Sequence, residues 1–120
     1  PAPPGPPGGG GGGGVVRELG TKAEFDDLVG REAGDSLVVV DFTAVWCGPC
    51  QRIKPAFHSM AAEFDRCFFC QVDVDDNDET AGACGVTRMP TFQLYREGRL
   101  VHTLSGANEA ALRDAVEHYM

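Results

Sequence analysis

Cys47 and Cys50, three positions apart, are the residues of this chain best suited to chemistry. A dithiol at this spacing can give up two electrons by closing on itself, or supply two of the four ligands of a zinc ion. Redox use needs a thiolate, because only the ionised sulfur attacks a disulfide. A helix N-terminus favours that ion, through its unpaired N–H groups and the positive end of its dipole. The residues around the pair predict such a setting. Leu37 to Phe42, LVVVDF, is a β-branched apolar run that reads as a central strand buried on both faces. A helix should begin at Cys47 or Gly48, with Pro49 in its first turn, where a missing N–H costs nothing. Ile53, Phe57, Met60, Ala61 and Phe64 then repeat at helical spacing, and Pro55 should kink that helix. Trp46 offers a flat apolar surface beside the first sulfur.

The zinc reading draws on a second pair, because Cys47-x2-Cys50-x16-Cys67-x2-Cys70 fits a general four-cysteine pattern. Local structure opposes it. Cys67 to Asp73, CFFCQVD, reads as a buried strand, in which residues three apart point to opposite faces. Cys67 and Cys70 are therefore expected to be small buried hydrophobes. Asp41 is the other anomaly, a carboxylate inside an apolar strand. Burial disfavours its ionised form, so its pKa should rise and it could accept or relay a proton.

The elements that position these groups follow from pattern. Thr21 and Glu24 form a capping box ahead of Phe25, Leu28 and Val29, which share a helical face, and Gly30 and Gly34 bracket the end of that helix. A short polar helix is expected from Asn77 to Cys84, closed by Gly85. Thr91 to Tyr95 and Leu100 to Leu104 read as strands joined through Arg96-Glu97-Gly98-Arg99, a hairpin with Gly in its turn. Asn108 can cap a last helix with Leu112, Ala115, Val116 and Tyr119 on one face. The result is an α/β domain, a central mixed β-sheet flanked by helices on both faces.

Composition bounds the function. The chain has 120 residues, enough for one core. Residues 1–14 contain only Pro, Ala and Gly, and are expected to be a disordered tail before a folding unit spanning 15–120. No signal peptide is expected, although a targeting segment could precede Pro1. A net charge of −8 argues against general nucleic-acid or anionic-membrane binding. The acidic run from Asp73 to Glu79 places Asp78 and Cys84 where a calcium loop needs Gly and Glu, so a solvated loop is expected. Five cysteines are an odd number, and suit a reducing compartment better than a disulfide framework.

The segment Val40 to Cys50, VDFTAVWCGPC, resembles the active-site segment of thioredoxins of the animal cytosolic kind. Ile53-Lys54-Pro55, Val72-Asp73-Val74-Asp75, Met89-Pro90-Thr91-Phe92 and Ser105-Gly106-Ala107 match in the same order, so the resemblance covers Val15 to Met120. It implies the thioredoxin fold and a protein-disulfide reductase with no bound cofactor. It implies Cys47 and Cys50 as the redox-active pair, Asp41 as the buried acid behind Cys50, and Lys54 as the charge that tunes Asp41. Trp46, Gly48, Pro49, Val74, Met89, Pro90, Gly106 and Ala107 would form the docking surface for substrate, with Pro90 in the cis form. The implied partners are disulfide-containing proteins and an NADPH-dependent thioredoxin reductase, for a cytoplasmic monomer. A redox-dependent binding module of the same fold is the alternative. Two departures stand out. Arg88 occupies a position where animal members commonly carry Cys, and Gln51 one where Lys is usual. Cys84 matches a second, non-active-site Cys, for which the resemblance leaves regulatory oxidation open.

Overall fold

The computed structural model describes residues 11–120. Residues 1–10 of the expected tail lie outside the described residues. Gly11 to Gly14 form a turn, and the Gly12 N–H donates to the Cys67 carbonyl at 3.1 Å. The chain then runs through β1 (Val16–Glu18), α1 (Lys22–Asp27), β2 (Val38–Thr43), α2 (Gly48–Glu63), β3 (Phe68–Asp73), α3 (Asp78–Ala83), β4 (Thr91–Arg96), β5 (Arg99–Ser105) and α4 (Glu109–Tyr119). From α1 onward the helices and strands follow the expected order. Among the described residues, no helix is long and apolar enough to cross a membrane.

Local signals account for most boundaries. Thr21 Oγ1 accepts the Glu24 N–H at 3.1 Å, and the Glu24 carboxylate accepts the Thr21 N–H at 3.1 Å. Asn77 and Asn108 accept the N–H groups of Thr80 and Ala111 in the same way at the starts of α3 and α4. The hairpin turn places Glu97 at φ 53° and Gly98 at φ 79°, the two left-handed residues that a two-residue loop between twisted strands requires. α2 runs through Pro55 unbroken. One element was not expected. Beyond α1 the helix widens into a π-helical turn, Leu28–Glu32, and ends between Gly30 and Gly34 as expected. The Ala33 N–H donates to the Leu28 carbonyl at 2.9 Å, so the wider turn brings Ala33 onto the face that Leu28 buries.

The sheet order is β1-β3-β2-β4-β5. β1 and β2 run parallel to β3, β4 is antiparallel to β2, and β5 is antiparallel to β4. Alternation along β2 divides the core in two. Val38, Val40 and Phe42 pack with Phe25 and Leu28 under α1 and with Ala81 of α3. Leu37 and Val39 pack with Ile53, Phe57 and Met60 of α2 and with Leu112 and Val116 of α4. Phe57 is fully buried, its ring 5.2 Å from Phe69 and 5.7 Å from Phe92. It joins α2 to the sheet directly behind the cysteine turn.

Phe57→Ala is expected to cost about 3–5 kcal/mol, the transfer of a large ring plus the cavity it leaves. Urea unfolding should show a lower midpoint with an unchanged slope.

Candidate active site

β2 ends at Thr43 and four residues separate it from α2, so a parallel strand delivers the chain to a helix N-terminus. Cys47 is the N-cap residue: its backbone is extended and its Sγ accepts the Cys50 N–H at 3.3 Å. Cys47 and Cys50 are paired as a disulfide with Cα atoms 5.3 Å apart. Cys47 retains 6% exposure and Cys50 1%, which leaves Cys47 as the sulfur nearer the surface. Ala44 is buried with them. Its carbonyl accepts the Cys47 N–H at 3.2 Å and the Gln51 side-chain amide at 3.0 Å. Gln51, one of the departures, thus ties the first helical turn back to the strand end.

Two further loops approach the pair. Val74, just after β3, and Met89, just before β4, both half-buried, pack against it. The Met89–Pro90 peptide is cis, as the resemblance implied, and Pro90 itself is buried. The Pro90 carbonyl accepts the Gly106 N–H at 2.9 Å, so the loop at Gly106 and exposed Ala107 is fastened to the proline loop. Trp46 is 65% exposed, and Gly48 and Pro49 on the same rim are exposed too. Its indole N–H donates to Asp75 Oδ2 at 2.8 Å, which sets the orientation of the ring. Neither Asp75 nor Val45, 78% exposed beside Trp46, was singled out from the sequence. Asp75 was hidden in an acidic run that read as a solvated loop. Its partner lies 29 residues away, a separation no local pattern reveals.

Asp41 is 2% exposed, and among the described residues its Oδ1 has no hydrogen-bond partner. By alternation it lies on the Val39 face of β2, the face that α2 covers. Burial pushes its carboxyl up from 3.8 to about 7, against the pull of the Lys54 ammonium and with a smaller push from Glu18. Lys54 is exposed on α2 and follows Cys50 by four positions, one helical turn along the same face.

The other cysteines lie elsewhere. Cys67 is buried in the cluster under α2 and α4, and Cys70 in the opposite one under α1 and α3. Burial pushes both thiols up, Cys70 the further. The four cysteines of the zinc pattern do not converge, and among the described residues no cluster of three or more His, Cys, Asp or Glu is placed to hold a metal. Cys84 is half-buried and accepts a 3.6 Å hydrogen bond from the Tyr95 hydroxyl. His58 and His118 are exposed, and His102 is half-buried against Tyr119.

A dithiol pair at a helix N-terminus, on a mixed sheet and above a buried carboxyl, defines a thiol–disulfide oxidoreductase. The family model described as thioredoxin matches residues 16–118. Thioredoxin of Geodia cydonium is 53% identical over 104 residues, covering 86% of this chain and 97% of its own. Human thioredoxin is 44% identical over 102 residues, covering 85% and 96%. The solved structure of Fasciola hepatica thioredoxin superposes with a TM-score of 0.86 at 42% identity, covering 88% of this chain and all of its own. The chain belongs to the thioredoxin family, and it is a protein-disulfide reductase.

Asp41 also links pH to stability. Its folded pKa lies above its unfolded value, so its protonated form favours the fold below about pH 4. That advantage is lost as pH rises towards and through about 7. Asp41→Asn removes the dependence. Denaturant titrations of the oxidised protein at about pH 4 and pH 8 should show the variant gaining about 3–4 kcal/mol on wild type between them. A constant difference would contradict a buried, raised carboxyl.

Proposed function

We propose that Cys47 attacks and Cys50 resolves. The observation that carries this reading is the position of Cys47 at the N-cap of α2, more exposed than Cys50, with Asp41 buried on the face of β2 that α2 covers. In the reduced form the Cys47 thiolate attacks one sulfur of a substrate disulfide. A mixed disulfide forms and the other substrate sulfur leaves as a thiolate. Asp41 then takes the proton of Cys50, whose thiolate attacks the Cys47 sulfur. The Cys47–Cys50 disulfide closes and the second substrate thiolate departs. Two electrons have passed from the dithiol to the substrate, and Asp41 returns its proton to a leaving sulfur. Lys54 holds the Asp41 pKa down far enough for its anion to be populated near neutral pH.

Trp46, Gly48, Pro49, Val74, Met89, Pro90, Gly106 and Ala107 serve as the docking surface, apolar groups and free backbone around the reacting sulfur. An extended substrate segment fits such a surface through main-chain contacts and shape. The catalytic unit is 15–120, working as a cytoplasmic monomer that receives its electrons from an NADPH-dependent thioredoxin reductase. The closeness of the chain to animal thioredoxins supports that assignment.

Cys47→Ser is expected to abolish NADPH-coupled reduction of a model protein disulfide, and equal rates in variant and wild type would overturn the mechanism. Cys50→Ser should accumulate mixed disulfides with substrate, visible as adducts on non-reducing gels that dissolve on adding dithiothreitol. Absence of adducts would favour the binding-module alternative.

A further inference from the structure

The register of the sheet lines up three side chains that the mechanism uses only in part. Glu18 on the edge strand β1 pairs with Gln71 on β3, and Gln71 pairs with Asp41 on β2. Register partners in adjacent strands point to the same side of a sheet, here the side covered by α2. Gln71 Nε2 lies 3.0 and 2.9 Å from the two carboxylate oxygens of Glu18. The amide holds the Glu18 carboxylate over the sheet face, where otherwise it would be free to swing out into water. Two strand spacings put its backbone about 10 Å from that of Asp41.

We infer that Glu18, held by Gln71, is a positioning residue that sets the proton affinity of Asp41 from the edge of the sheet. The charged groups facing Asp41 are then Lys54 from α2, which favours its anion, and Glu18 from β1, which opposes it. The residues directly beside it on β3 and β4, Gln71 and Phe92, are uncharged. The carboxyl therefore lies between one cation and one anion of opposite effect, the cation's the larger. At about 10 Å through a medium between protein and water, one charge moves a pKa by about 0.3–1 unit. Such a coupling weakens with salt, because Glu18 is exposed.

Its consequence for turnover rests on Asp41 acting as the proton acceptor for Cys50, but the coupling itself can be read without turnover. The test is a carbon-13 NMR titration of the Asp41 side-chain carboxyl in the full chain, comparing wild type, Glu18→Gln and Glu18→Lys at low ionic strength. The midpoint should fall by about 0.3–1 unit in Glu18→Gln and about twice as far in Glu18→Lys, the order set by charge. Both shifts should shrink in about 0.5 M salt. An Asp41 midpoint unchanged across the three proteins would overturn the inference. In a parallel assay of disulfide reduction, the acid limb of the pH–rate profile should move with the Asp41 midpoint in Glu18→Gln. It should not respond to Glu18→Gln when Asp41 is already Asn. A midpoint that shifts while the rate profile stays fixed would preserve the coupling and refute Asp41 as the proton acceptor.

Discussion

A carboxyl kept out of water beneath the first turns of α2 is the constraint around which this molecule is arranged. Asp41 sits in the middle strand of a five-stranded sheet, with apolar neighbours along most of its own strand. An unpartnered oxygen in that position destabilises the fold whenever it is ionised. The remaining core must offset this, and it does so with two continuous apolar layers, one on each side of the sheet. The same burial raises the carboxyl to about 7, the range in which an acid can both take and return a proton near neutrality.

The cysteine turn depends on the same β2–α2 unit. The strand ends and the helix starts within four residues, so one sulfur falls at the N-cap and the other one turn inward. That difference in depth leaves the outer sulfur nearer the surface and the inner one against the core. Gln51 and the Cys47 N–H both bind the Ala44 carbonyl, which fixes the turn. Trp46, oriented by Asp75, and Met89, set by the loop that Gly106 holds, form the rim around the outer sulfur.

The zinc alternative illustrates how secondary structure decides chemistry. By spacing alone Cys67 and Cys70 complete a four-ligand set. Around β3 they lie on opposite sides of the sheet, in separate core layers. A metal needs converging ligands, and an extended segment diverges residues three apart. Those two cysteines contribute volume to the core.

The sequence by itself determined most of the helices and strands, the helix caps and the placing of the cysteine pair at a helix start, because these rest largely on signals within a few residues. The Thr21–Glu24 box, the Asn108 cap and the Cys47–Pro49 helix start are of this kind. It also marked Asp41 as anomalous, since one carboxylate in a β-branched run is visible as a break in pattern. Family resemblance, more than local pattern, pointed to the cis Met89–Pro90 bond. The tertiary structure alone decided which groups join Lys54 around Asp41 and which one meets Trp46. Glu18 and Gln71 reach the Asp41 row from strands far along the chain, and Asp75 reaches Trp46 across 29 residues. The π-helical turn at Leu28 likewise answers to the sheet it packs on, since the extra residue is needed to bring Ala33 into the core. Strand register and packing join residues that sequence separation keeps apart, and the electrostatics of the site follow from that joining.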